Sequence, residues 1–260
     1  MRIGHLINES TLIRAGELVL AYDAGSPVLS GVNLALPTGE LVVVLGPNGG
    51  GKTTLFKAIV GELQPVAGSL AVSARVAYLP QYDGSRLDFP VSVQDVVVMG
   101  TLAERRPWQR GGRGARDRAI AALERVGLAE RAKDPYGELS GGQRRRVLLA
   151  RTIIQDAEIV ALDEPLAGVD PGSAEVIRTT LEVLRDEGRL VLVASHDVDH
   201  ARASDRALCI NGHVVADGVP AEVLTDDALR ETYASDLKVV TSADGTPIFA
   251  AAEHHHPHDH

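Results

Sequence analysis

The segment Gly46-Pro47-Asn48-Gly49-Gly50-Gly51-Lys52-Thr53-Thr54 constrains this 260-residue chain more than any other. It fits G-x-x-x-x-G-K-[ST], the phosphate-binding loop pattern. Such a loop needs a buried strand before it and a helix after it. Leu41–Leu45 is an apolar run of strand length, and Thr53–Val60 has helical character and stops at Gly61. The glycines let the backbone turn tightly enough to aim N–H groups at phosphate oxygens. The new helix adds the positive potential of its N-terminal end. In this pattern Lys52 reaches the β- and γ-phosphates of a nucleotide, and the Thr53 hydroxyl holds Mg²⁺.

Four further segments sit downstream. Leu139-Ser140-Gly141-Gly142-Gln143 is followed by Arg144-Arg145-Arg146 and an apolar helix. The apolar strand Ile159–Leu162 ends in Asp163-Glu164. Gln81 follows the strand-like Val76–Leu79, and His196 follows the strand-like Leu190–Ala194. Together and in this order, from about Leu18 to Tyr233, they resemble the ATP-binding-cassette (ABC) ATPase family. The resemblance implies an α/β P-loop NTPase core with an antiparallel β part and an inserted helical subdomain, about Tyr82–Gln155.

The element pattern agrees with that architecture. Glu17–Ala21 and Val32–Leu36 suit strands, and Gly68–Leu79 suits two more. Val93–Met99, Ala115–Val126 and Gln143–Ile154 suit helices. Strand Ile159–Leu162, helix Ser173–Asp186, strand Leu190–Ala194 and helix Asp197–Ala203 then alternate, as a parallel sheet covered by helices does. Ala207–Ile210 and His213–Ala216 flank Asn211-Gly212, a hairpin signal, and Pro220–Tyr233 suits one or two closing helices. Residues 1–236 are thus expected to form one nucleotide-binding domain. A small hairpin around Ala243-Asp244-Gly245 is expected within 237–253, and a histidine-rich tail at 254–260.

The resemblance also implies roles, with ATP and Mg²⁺ as cofactors. Asp163 would hold Mg²⁺ through water, and Glu164 would be the general base that takes a proton from the attacking water. His196 would contact the γ-phosphate and steady Glu164. Gln81 would touch Mg²⁺ and the water, and Tyr22 would stack on adenine. Ser140, Gly141 and Gly142, with Gln143, would complete the ATP site of a second copy in a head-to-tail dimer. Asp170, in Ala167-Gly168-Val169-Asp170, would act across that interface. The commoner family wording there is Ser-Ala-Leu-Asp, so this form points to a subgroup.

Composition narrows the biological setting. No apolar run approaches the roughly 18 residues that span a bilayer, and MRIGHLINES lacks the layout of a signal peptide. A cytoplasmic location follows as the expectation, and transport would need separate membrane subunits. The net charge of −9 argues against nucleic acid as a partner. The lone Cys209 lies in an apolar run and suits a core position. Val91–Gly100 resembles the importer version of its region, and the basic loop Arg105–Arg110 suits either plain solvation or contact with a membrane subunit or anionic headgroups.

Asp163–Asp170 resembles the ATPases of zinc and manganese importers. His254, His255, His256, His258 and His260 crowd the last seven residues, and such imidazoles suit Zn²⁺ and related ions. The expected function is therefore the ATP-hydrolysing subunit of an ABC importer for divalent metal ions, zinc or manganese. Its partners would be membrane permease subunits, a second copy, and an extracytoplasmic metal-binding protein. It would sit peripherally on the cytoplasmic face of the plasma (inner) membrane. The alternatives are the ATPase of a chelated-iron or haem importer, or a soluble non-transport ABC ATPase.

Overall fold

The computed structural model describes residues 11–23, 26–81, 91–102, 113–233, 237–241 and 247–251. In chain order the first part runs β1 (Thr11–Leu20), β2 (Leu29–Pro37), β3 (Leu41–Leu45), α1 (Lys52–Ile59), β4 (Ala67–Val72) and β5 (Val76–Leu79). Three helices follow, α2 (Val93–Met99), α3 (Arg113–Arg125) and α4 (Gly141–Ile153). Strands and helices then alternate: β6 (Ile159–Asp163), α5 (Pro171–Asp186), β7 (Leu190–Ser195), α6 (Val198–Arg202) and β8 (Arg206–Ile210). The chain continues through β9 (Val214–Gly218), α7 (Pro220–Val223), α8 (Asp226–Thr232), β10 (Leu237–Thr241) and β11 (Pro247–Ala251). β10 and β11 pair antiparallel, from Leu237 opposite Ala251 to Thr241 opposite Pro247. The basic loop Arg105–Arg110 and the histidines of the tail lie outside the described residues.

The large sheet has the order β5-β6-β7-β3-β8-β9, parallel except for the last pair. Every residue of β3, β6 and β7 is buried, and all but the terminal Asp163 and Ser195 are apolar, as strands covered on both faces require. Alternation then divides them between two cores. Leu41, Val43, Leu45, Val160, Leu162, Val191 and Val193 face the helices, packing with Val96, Leu123, Leu149 and Leu181. Val42, Val44, Ile159, Ala161, Leu190 and Leu192 face the other way, with Leu55 and Phe56 of α1 and Leu18 and Leu34 of the smaller sheet. Each large apolar side chain stabilises by roughly 1.5–3 kcal/mol on burial. A one-residue slip would move all of them to the wrong face.

The smaller sheet is antiparallel, in the order β2-β1-β4. Here the structure departs from the sequence pattern. β1 begins at Thr11 and not at the expected Glu17, because Gly16-Glu17 is a bulge within the strand and not its start. The pairing slips between Ala15 and Leu18, and Glu17 takes φ +47°. The Glu17 N–H donates to Asn33 Oδ1 at 2.9 Å, and Asn33 Nδ2 donates back to Glu17 Oε1 at 2.7 Å.

Register places the functional segments. Leu45 lies opposite Ser195, Asp163 opposite Ala194, and Leu79 opposite Leu162. Four of the five parallel strands, β3, β5, β6 and β7, therefore end along one edge. The loop after β3, Gln81 after β5, Glu164 after β6 and His196 after β7 all emerge there, at the carboxyl ends of the strands where open α/β sheets bind ligands.

Candidate functional site

Between β3 and α1 the chain turns through 46–51. Gly51 takes φ +104°, and a Cβ there would meet the Leu29 side chain at 2.6 Å, so both the torsion and the space exclude other residues. No side chain caps α1, and its first turn holds no acidic residue. Its leading N–H groups therefore have no carboxylate of their own helix beside them. Lys52 is only 5% exposed. Its Nζ donates to the carbonyls of Gly46 at 2.7 Å and Pro47 at 3.0 Å, and Gly50 N–H donates to Pro47 O. Burial holds the Lys52 amine below its ordinary pKa, against the pull of Glu164 and Asp163. A desolvated cation beside uncapped amides is the chemistry that receives phosphate oxygens.

Tyr22, Pro47, Asn48, Gly49, Gly51, Lys52, Thr53, Thr54, Gln81 and Glu164 line a single cleft of about 530 Å³, with Val28. Tyr22 stands at its rim, 53% exposed. Lys57 Nζ lies 5.2 Å above the Tyr22 ring, and the Thr54 hydroxyl bonds the phenol oxygen at 3.4 Å. An exposed ring beside a phosphate-type loop has the flat apolar surface a base needs.

At the strand ends the oxygen ligands converge. The Thr53 hydroxyl donates to Asp163 Oδ2 at 2.6 Å, and the Tyr78 hydroxyl reaches the same oxygen at 3.5 Å. Burial pushes the Asp163 carboxyl above its usual range, opposed by the Thr53 bond. A buried carboxylate and an adjacent hydroxyl are hard oxygen donors of the kind that suit Mg²⁺.

Glu164 occupies φ +48°, a left-handed torsion that costs a non-glycine residue about 1–3 kcal/mol and persists only where its surroundings impose it. Its N–H donates to Ala194 O at 3.1 Å, and Gln81 Nε2 donates to its Oε2 at 3.0 Å. His196 Nδ1 lies 3.9 Å from Oε1, an ion-pair contact too long for a hydrogen bond. Pairing with His196 holds the Glu164 carboxyl below its ordinary range against burial, and Glu164 in turn raises the His196 imidazole. The carboxylate stays ionised and the imidazole favours its charged form.

The sequence-predicted residues of the second group stand apart from this cleft. The Ser140 side chain caps α4 by accepting from Gln143 N–H, and Gln143 Oε1 accepts from Ser140 N–H at 2.9 Å and from Arg131 at 3.0 Å. Asp170 caps α5, with Oδ1 accepting from Ser173 N–H at 2.9 Å. None of Ser140, Gly141, Gly142, Gln143 or Asp170 lines the cleft of its own chain. Ser140 and Gly141 are exposed. Three contacts at the site carried no sequence signal: Tyr78 on Asp163, the Tyr233 hydroxyl on His196 O at 3.3 Å, and the Arg145 fork on Asp163 O and Glu164 O.

A family model described as "ABC transporter" matches residues 29–167. The zinc transport system ATP-binding protein TroB of Treponema pallidum is 38% identical over 230 residues, covering 85% of this chain and 86% of that protein. The manganese transport system ATP-binding protein MntB of Bacillus subtilis is 37% identical over 234 residues, covering 86% and 93%. A dimeric bacterial ABC transporter cassette superposes with a TM-score of 0.69 at 25% identity, covering 80% of this chain and 98% of that one.

Proposed function

Because this chain belongs to the ABC transporter family of ATP-binding proteins, we propose that it is the ATP-hydrolysing subunit of a divalent-metal importer, with zinc or manganese as cargo. ATP and Mg²⁺ are its cofactors, and membrane permease subunits its partners. One observation carries the catalytic reading: Glu164 contacts both Gln81 and His196, and Glu164 and Gln81 line the same cleft as Lys52 and Thr53, whose hydroxyl bonds Asp163. The metal cargo is supported by relatives named for zinc and for manganese.

The residues divide the work of hydrolysis. Gly46, Pro47, Asn48, Gly49, Gly50 and Gly51 form the phosphate loop. Pro47, which has no N–H, accepts from Gly50 and shapes the turn. Asn48, Gly49 and Gly51 offer backbone N–H groups to the phosphates, and Lys52 neutralises their charge. Thr53, Asp163 and Gln81 hold Mg²⁺, which supplies charge neutralisation at the transferring phosphoryl group when bound. Thr54 and Tyr22 border the nucleoside side. Glu164, kept ionised, accepts a proton as a water oxygen attacks the γ-phosphorus and the bond from that phosphorus to the β–γ bridging oxygen breaks. ADP leaves with the bonding pair and phosphate is released. His196 holds that carboxylate and donates to the phosphate. Ser140, Gly141, Gly142 and Gln143, with Asp170, serve the cleft of a second copy. The exposed α4 N-terminus, which does not line its own cleft, supports that reading.

Residues 1–236 act in this reading as one nucleotide-binding domain, with 82–155 as its helical subdomain, 237–253 as a hairpin and 254–260 as the tail. Among the described residues no helix is long and apolar enough to cross a membrane. The permease would supply the path and anchor the chain to the cytoplasmic face, and an extracytoplasmic protein would deliver the metal. For the histidine tail the support is imidazole chemistry alone, with Zn²⁺ as the expected ion.

Elemental analysis of cells lacking this chain tests the cargo, with wild type, Glu164→Gln, or a chain ended at Glu253 restored. A fall in cellular zinc or manganese that wild type reverses and Glu164→Gln does not is the expected result. Unchanged metal content under metal-limited growth would contradict it. Full rescue by the shortened chain would remove the tail from the account.

A further inference from the structure

Arg145 lies on α4, just over a turn past its cap Ser140, and is half-buried. Its Nη2 donates to the carbonyl oxygens of Asp163 at 2.7 Å and Glu164 at 3.0 Å. Its Nε donates to Pro165 O at 3.3 Å, and its Nη1 to Pro80 O at 3.2 Å and Gln81 O at 3.3 Å. A guanidinium carries its five N–H donors in one rigid plane. Here that plane spans backbone carbonyls from two separate strand ends, after β5 and after β6.

The placement bears on the acid–base pair. The Asp163 and Glu164 carbonyls flank the φ torsion of Glu164. Holding both on one nitrogen restrains that torsion at +48°, a region L-residues occupy uncommonly. The same plane fixes the carbonyl of Gln81, whose side-chain amide meets the Glu164 carboxylate.

We propose that Arg145 is a positioning residue for ATP hydrolysis. It sets Glu164 and Gln81 relative to each other and ties that arrangement to α4, hence to Ser140, Gly141 and Gly142. The proposal rests on the reading of Glu164 as general base. A lysine at this position keeps the charge but has three donors on a flexible stem and cannot bridge both strand ends.

The test is steady-state ATP hydrolysis by the full chain as wild type, Arg145→Lys, Arg145→Gln and Glu164→Gln, at a temperature where each is folded. Affinity for a fluorescent ATP analogue is measured alongside. The kcat of Arg145→Gln should fall on the order of 10- to 100-fold, as for a displaced base, with a smaller loss in Arg145→Lys. Nucleotide affinity should stay within about two-fold, since the lost interaction acts on the reaction and not on binding. A purely structural role would lower affinity and kcat together, and that result overturns the proposal. So does a wild-type kcat in both Arg145 variants while Glu164→Gln is inactive. An active Glu164→Gln would instead remove the base assignment, and the proposal with it. Should Arg145→Gln not fold, Arg145→Lys decides alone.

Discussion

Glu164 and His196 set opposite charges side by side at the mouth of the cleft, and their titration has a sign that can be checked. The His196 pKa is raised above its ordinary 6.5 by Glu164, so its stabilising effect is complete below that value and fades as pH rises through the raised one. The Glu164 pKa is depressed below its ordinary 4.5, so its effect is present above that value and fades as pH falls through the lowered one. The pair thus supports the fold most between those ordinary values and progressively less outside them, on the alkaline side through His196 and on the acid side through Glu164. Replacing His196 by alanine should lower the unfolding midpoint more at about pH 6 than at about pH 9, because the stabilising effect fades as pH rises through the raised pKa. Thermal denaturation at the two pH values measures this. An equal drop at both would show that the charge pair is not what holds His196.

At the scale of elements, the N-termini of α4 and α5 lock together. A Cβ on Gly142 would meet Ser173 Cβ at 2.9 Å and would press on the Asp170 carboxylate that caps α5. Gly142→Ala should therefore destabilise the chain by about 1–3 kcal/mol through overpacking, read as a lower unfolding midpoint. An unchanged midpoint would mean the two helices are free to separate. How much of this level was legible depends on what each element is made of. β3, its loop and α1 could be read because a continuous apolar run, a glycine pattern and a lysine coincide. α2 has the predicted limits Val93–Met99, since Ser92 caps it and Gly100 ends it. The start of β1 could not be read, because Gly16 looks like a break and serves as a bulge. Arg145, Tyr78 and Tyr233 were illegible as site residues for a different reason. Arg145 and Tyr233 bond backbone carbonyls, Tyr78 bonds a carboxylate 85 residues away, and no local pattern encodes either kind of contact.

At the scale of the whole molecule, the two halves of the chemistry do not meet within one chain. The cleft with Lys52, Thr53 and Glu164 is lined by nothing from Ser140–Gln143, while Ser140 and Gly141 stand exposed at the start of α4. Two copies arranged head to tail would bring each α4 N-terminus to the other's phosphates, giving two ATP sites per pair. A chain that binds ATP and cannot hydrolyse it should then remain paired. The deciding measurement is the mass in solution of Glu164→Gln with Mg²⁺ and ATP, by light scattering or sedimentation. The account predicts a stable particle of two 27.5 kDa chains that reverts to one when ADP replaces ATP. A nucleotide-saturated monomer would contradict it.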